Sequence, residues 1–302
     1  MNKPTLRIGD RLYDCSERTL IMGVLNVTPD SFSDGGRYVE TGRAVEHAME
    51  MVRQGADILD VGGESTRPKS SAYGEGADPI SAEEELRRVL PVIDRLKGRI
   101  DIPISIDTYK SDVAEEALRA GAVMVNDVSG FRFDPRMPRV VAEAGACAVV
   151  MHTKGPPRTM QQDLRYDDLF GQIGEYLREG LALGEQQGVR DMVVDPGIGF
   201  GKTPRDNLRL LTGLRRFRML GRPIMVGPSR KSFLGAILDL PVEERLEGTL
   251  ASVTGAILFG ADIVRVHDVR EVKRAAQIAD ALRETMQAEQ LEQGTHSWNS
   301  SE

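Results

Sequence analysis

Carboxylates, amides and cations recur in this chain at one kind of place, the point where an apolar run stops. Asp60 closes DILD, Asp107 closes ISID, Asn126 and Asp127 close MVND, Asp195 closes MVVD, and His267 follows IVRV. Asn26 ends the apolar stretch that starts at Leu20. Asp60, Asp107 and Asp195 can only accept hydrogen bonds when ionised, and Asn126 can both accept and donate. Such a set suits the donor-rich edge of a planar, guanidine-like heterocycle. A second set, Arg67, Lys231, Arg265 and His267, is cationic and suits phosphate or a carboxylate. The Gly-rich turns Gly197–Gly201 and Ser229–Ser232 each run into a helical pattern, whose first N–H groups attract an anion. No Ser-His-Asp or Cys-His arrangement suggests a protein nucleophile. No H-x-x-x-H, C-x-x-C or EF-hand spacing suggests a tight protein-only metal site, but Mg²⁺ arriving with a polyphosphate needs one or two protein oxygens, and Asn26 can supply one.

A single Asp at the end of a strand is ordinarily a turn or cap residue. What raises these residues above that reading is the repeated element behind them. Ile21–Val27, Asp57–Gly62, Ile102–Ile106, Val123–Val125, Cys147–Met151, Met192–Val194, Ile224–Val226 and Ile263–Val266 are short apolar runs, the pattern of strands covered on both faces. Between them lie helical periodicities: Thr41–Gln54, a helix opened by the capping box Ser81-x-x-Glu84, one marked by Val113, Ala117 and Ala120, one opened by Asp134 and Pro135, Tyr166–Gln186, one opened by Thr203 and Pro204, Val242–Phe259, and a last one marked by Val272, Ala276, Ala279 and Leu282. Eight strand-then-helix units predict an α/β fold of the TIM (β/α)8 type, in which the loops after the strands build the active site. A short hairpin, Thr5–Asp14 about Gly9-Asp10, is expected to close the bottom. The reading is one barrel domain over 1–284 and a disordered tail over 285–302, rich in Gln, Glu and Ser.

Bulk composition agrees. With 40% hydrophobic but only 5% aromatic residues, the core must be built from small aliphatic side chains. A net charge of −7 without a long basic block argues against nucleic acid or an anionic membrane as partner, and any anionic substrate must find local positive charge. The basic run Arg215-Arg216-Phe217-Arg218 falls within a helical stretch away from the strand ends and reads as a solvated surface. Cys15 and Cys147 give no disulfide framework. The N-terminus has no signal core and nowhere is there an apolar run of about 18 residues, so the expected setting is the cytoplasm.

Seven motifs, NVTPDSFSDGG, DVGGESTRP, SIDTYK, NDVSG, DPGIGFGKT, GPSRKSFLG and RVHDV, stand in an order that resembles the dihydropteroate synthase family over nearly the whole chain. The resemblance implies a TIM barrel that condenses 6-hydroxymethyl-7,8-dihydropterin diphosphate with 4-aminobenzoate, giving 7,8-dihydropteroate and pyrophosphate in folate biosynthesis, with Mg²⁺ as cofactor and a homodimer as the assembly. Matched motif by motif, it implies that Asp107, Asn126, Asp195 and Lys231 hold the pterin, with Asp60 nearby. Asn26, Arg67, Arg265 and His267 would hold the diphosphate, Asn26 through the metal. Phe32, Thr66, Pro68, Phe200 and Ser232 would frame the aminobenzoate. Asp107, Asp195, Lys231, Arg265 and His267 would carry the catalysis. The loop RPKSSAYGEGADPIS is longer than the family's usual connection. Two other readings compete: a folate-dependent methyltransferase on a related barrel, which has no need of the SRKS and RVH anion groups, and a non-catalytic pterin-binding relative.

Overall fold

Strand parity decides where the polar strand ends point. The computed structural model describes residues 5–28, 37–65 and 78–298. Eight strands make one parallel sheet: β3 (Leu20–Asn26), β4 (Ile58–Gly62), β5 (Ile104–Asp107), β6 (Met124–Asp127), β7 (Cys147–Met151), β8 (Met192–Asp195), β9 (Met225–Val226) and β10 (Ile263–Val266). Consecutive strands pair, β10 pairs with β3, and a bridge between Val194 and Ile224 joins β8 to the strand before β10, which closes the barrel. Alternate residues of each strand belong to different cores. Leu20, Met22, Ile58, Met124, Cys147, Val149, Val193, Met225 and Ile263 meet inside the barrel, whereas Ile21, Leu25, Leu59, Val61, Val125, Val150 and Val264 pack outward against helices. With a side-chain period of two, Asp60, Asn126, Asp195 and Arg265 share the inward parity of Ile58, Met124, Val193 and Ile263. They are therefore the upper layer of the barrel interior.

The floor is the hairpin of β1 (Thr5–Ile8) and β2 (Arg11–Asp14), paired antiparallel, with Leu6 and Ile8 buried among the lower inward residues. The helices are α1 (Arg37–Gln54), α2 (Ala82–Leu96), α3 (Ser111–Ala120), α4 (Met137–Glu143), α5 (Leu169–Gln187), α6 (Pro204–Thr212), α7 (Ser232–Leu238), α8 (Leu246–Leu258) and α9 (Val269–Trp298). Ser81 and Thr203 cap α2 and α6 as their sequences predict, each side chain accepting a backbone N–H at 3.1 Å.

Several helical expectations need correction. The seventh strand is followed by two helices, because Asp239, in the left-handed region at φ 56°, ends α7, and a short 3-10 turn at Val242–Glu244 precedes α8. Asp134 does not cap α4. Its carboxylate accepts Ser111 N–H at 2.9 Å at the start of α3 and Arg136 N–H at 3.0 Å. The basic run lies in a 3-10 helix, Leu214–Leu220, and Arg218 is not solvated: it forks onto the fully buried Asp262 at 2.6 and 2.7 Å. Past residue 284, where the sequence reads as a disordered tail, α9 continues to Trp298. Ala, Glu, Gln and Met are strong helix formers, and their propensity propagates a helix that packing has already nucleated.

Candidate active site

Four inward side chains form one hydrogen-bonded cluster at the upper end of the barrel. Arg265 donates Nε to Asp60 Oδ2 and Nη2 to Asp107 Oδ2, both at 2.6 Å, and Asn126 Nδ2 donates to the same Asp60 oxygen at 2.8 Å. Asp60 Oδ1 and Asn126 Oδ1 are buried and have no hydrogen-bond partner among the described residues. A buried acceptor without a donor costs about 1–3 kcal/mol, so two of them side by side are a signature of a ligand that supplies N–H groups. This cluster changes one expectation. The sequence groups Arg265 with the anion-binding cations, but here its guanidinium neutralises the carboxylates expected to read the heterocycle.

Asp195 and Lys231 face one another across the same space. Burial raises the Asp195 carboxyl and the Lys231 ammonium opposes that shift; burial also brings Lys231 down to about 8, opposed by Asp195. Asp107 is raised by burial, with Arg265 pulling it back and Asp60 pushing it further up. A half-charged, poorly solvated set of this kind is what a site for a polar planar ring requires, and it also marks functional sites generally. By contrast Asp127, whose carboxylate accepts Ser129 N–H, Ser129 O–H and Phe131 N–H, is turn structure.

On the β9–β10 side, His267 Nδ1 lies 3.0 Å from Ser229 Oγ, and Arg230 forks onto Asp268, with Nε at 3.0 Å from Oδ2. The sequence counts His267 among the cations, and the structure corrects this: burial first, then Arg265 and Arg230, bring it down to about 4, so it is neutral near pH 7. Ser232 opens α7 directly after Lys231. The Phe200 ring lies 4.6 Å below Lys231 Nζ, a cation–π contact. Asn26 ends β3 half-buried, at the same level as Gly62 of its neighbour. Among the described residues no three His, Cys, Asp or Glu side chains gather as metal ligands. One carboxamide oxygen fits a hard cation only if other oxygens arrive with the ligand. Phe32, Thr66, Arg67 and Pro68 lie outside the described residues.

Three N–H groups of the turn Gly197–Gly201 are used within the protein. Gly197 N–H donates to Asp195 Oδ1 and Gly199 N–H to Asn207 Oδ1, both at 2.7 Å, and Phe200 N–H to Gly197 O at 3.1 Å. The sequence suggests no role for Lys202, although a lysine between Gly201 and the cap Thr203 is an unusual neighbour for a buried strand. It is 4% exposed, with Nζ 2.9 Å from His152 Nδ1.

Comparison with known proteins agrees with this geometry. The model of the pterin binding enzyme family matches residues 22–267. The dihydropteroate synthase of Synechocystis sp. is 47% identical over 282 residues, covering 92% of this chain and 95% of that protein. Among solved structures, dihydropteroate synthase from Xanthomonas albilineans in complex with 7,8-dihydropteroate superposes with a TM-score of 0.81 at 36% identity, covering 93% of this chain and 99% of the other. The Thermus thermophilus enzyme in complex with 4-aminobenzoate gives 0.81 at 40% identity, covering 92% and 100%.

Proposed function

The chain belongs to the pterin-binding enzyme family, and from that premise we propose that it catalyses the dihydropteroate synthase reaction, joining 6-hydroxymethyl-7,8-dihydropterin diphosphate to 4-aminobenzoate. The observation that carries the reading is the pair of unpartnered buried oxygens, Asp60 Oδ1 and Asn126 Oδ1, beside Asp107 and opposite Asp195. The pterin edge presents ring and exocyclic N–H groups that these acceptors lack. Lys231 supplies a cationic donor for a ring acceptor.

In this reading the C–O bond to the diphosphate breaks, the amine nitrogen forms the new C–N bond to the pterin methylene, and the amine gives up a proton. Positive character develops on the methylene as the leaving group departs. Asp107 and Asp195, fixed in a buried site, oppose that charge without reorganising, which is the kind of stabilisation worth most in a low dielectric. Arg265 lies between the ring carboxylates and His267, so an arriving diphosphate competes with Asp60 and Asp107 for its guanidinium. Mg²⁺, when bound, would neutralise the leaving diphosphate, and Asn26 is the residue that would hold it. Phe200 and Ser232, with Phe32, Thr66, Arg67 and Pro68, would complete the aminobenzoate and diphosphate contacts. A homodimer belongs to the same proposal and rests on the family resemblance, and a cytoplasmic setting rests on the N-terminus reading without a signal core; no helix among the described residues is long and apolar enough to cross a membrane.

The direct test is to incubate the protein with the pterin diphosphate, Mg²⁺ and 4-aminobenzoate and follow pyrophosphate and dihydropteroate together. Equal amounts of both are expected. Pyrophosphate without dihydropteroate would mean hydrolysis, and neither product would mean a binding protein.

A second expectation follows from His267. An anion beside it favours the imidazolium, so binding of pyrophosphate should raise its value from about 4 and draw in a proton. Calorimetry at about pH 5.5 in buffers of different ionisation heat should show more proton uptake for the parent than for His267→Gln. Equal uptake would place the anion elsewhere.

A further inference from the structure

The turn from Asp195 to Lys202 presents four successive carbonyls, and each is met by a side-chain donor. Lys231 Nζ donates to Ile198 O, Gln161 Nε2 to Gly199 O at 2.9 Å, Lys202 Nζ to Phe200 O at 2.8 Å and Tyr166 O–H to Gly201 O at 2.9 Å. Surface turns normally leave such carbonyls to water. Three glycines in the left-handed region complete the design, and none has room for a side chain. A Cβ at Gly197 would lie 1.9 Å from His152 O, one at Gly199 2.8 Å from Lys231 Cδ, and one at Gly201 2.5 Å from Lys154 Cβ. The backbone that carries Phe200 is thus fixed from every side.

Lys202 is the costly part of this arrangement. Its ammonium is buried against neutral His152, and burial pushes both groups well below their usual values, with Lys202 pressing His152 down further and Asp195 supporting the ammonium. His152 is itself held edge-on by Tyr176 at 4.7 Å between ring centroids. A buried amine is unfavourable unless its hydrogen bonds are needed. What it holds, together with Gln161 and Tyr166, is the segment on either side of Phe200.

We propose that Gln161, Tyr166 and Lys202 are positioning residues which fix the Phe200 ring as the wall against which the aryl amine is oriented. The proposal rests on the functional reading above and adds the loop after β7, which supplies Gln161 and Tyr166, to the parts that set the geometry of the second substrate. None of the three needs to touch that substrate. They act through the turn: with its carbonyls released, Phe200 samples more positions, and the entropy of fixing it must then come out of aminobenzoate binding.

The test uses Gln161→Met and Tyr166→Phe, which keep bulk and lose the donor. Lys202 is left intact because it also acts on Asp195. In each variant the KM for 4-aminobenzoate should rise about three- to tenfold, with the KM for the pterin diphosphate within about twofold of the parent. In a Phe200→Ala background, where no ring remains to be placed, either substitution should change the aminobenzoate KM by less than about twofold. A general loosening of the fold would instead add to the Phe200→Ala loss and raise both KM values, and either pattern overturns the proposal. So does an unchanged aminobenzoate KM in both variants while the parent turns over normally, which leaves the functional reading standing. A parent that forms no dihydropteroate would overturn that reading and the positioning role with it. Should Gln161→Met fail to fold, Tyr166→Phe decides alone.

Discussion

Asp195→Asn should weaken binding of the pterin diphosphate roughly a hundredfold, equivalent to about 2.7 kcal/mol. Asp195 is 3% exposed and faces Lys231 inside the barrel. Two losses combine in this variant. The amide offers N–H to a ring edge that itself offers N–H, and hydrogen bonds to a charged acceptor contribute about 1.5–3 kcal/mol where neutral ones contribute less. The second loss is at Lys231. Burial already lowers it to about 8 and Asp195 is what opposes the shift, so without the carboxylate it falls further and is neutral at working pH. The fold should survive, because an asparagine oxygen can still accept the Gly197 N–H that Asp195 accepts at 2.7 Å. Calorimetric titration with the pterin diphosphate, alongside a denaturation curve, measures both. Unchanged affinity would refute the assigned ring pose, and a large loss of stability would show that Asp195 serves mainly the turn.

The barrel was legible because its signal is local and repeated. A run such as Ile58-Leu59-Asp60 shows in three residues that a strand is buried on both faces and that its inward position has become polar. Lines of the same kind marked Asp107, Asn126, Asp195, Arg265 and His267, and the structure brings all of them to the upper interior. What the sequence could not show is which polar group faces which. Arg265 and Asp60 are 205 positions apart and Arg265 and Asp107 are 158 apart, and nothing at either end of these pairs states the partner. The charge of His267 was misread for the same reason: it depends on Arg230 and Arg265 lying close and on burial, not on residue type. Asp134 was read as the cap of its own helix; one carboxylate oxygen does take the local Arg136 N–H, but the other reaches back to Ser111 in another element, which no local pattern states. The glycines of DPGIGFGKT were recognised as a turn, but the commitment of Gly197 N–H to Asp195 and of Gly199 N–H to Asn207 shows only in the coordinates.

Because Arg265 holds the ring carboxylates, its removal should injure both substrates' parts of the site, and pH should separate the two injuries. Its guanidinium contacts Asp60 and Asp107 at 2.6 Å each and is the main influence that opposes the upward push of burial on Asp107. In Arg265→Met the two carboxyl groups would lose the one guanidinium that bonds to both, leaving Lys231 as the remaining cation near Asp107. Like charges in a buried site cannot both ionise near neutral pH, so Asp107 takes up a proton. A protonated carboxyl presents a donor to the pterin edge, and affinity for the ring falls. The sign follows: the binding-competent form is the carboxylate, its value has been raised, and so ring affinity should recover as pH rises through it. Relative to the parent at the same pH, the free pterin alcohol should bind about ten- to a hundredfold more weakly at pH 7 and within about threefold at pH 9. The diphosphate should not recover, since no rise in pH restores a cation beside it, and kcat/KM should stay about a thousandfold down at both values. Arg265 also helps to lower Lys231, so the loss of Lys231 charge above pH 8 is not the same in the two proteins, and a Lys231→Gln background, in which that charge is absent from both, isolates the recovery due to Asp107. An equal, pH-independent deficit for alcohol and diphosphate would show that Arg265 merely supports the barrel interior. A deficit confined to the diphosphate would mean that Asp60 and Asp107 tolerate one another without it, and that the guanidinium belongs to the leaving group alone.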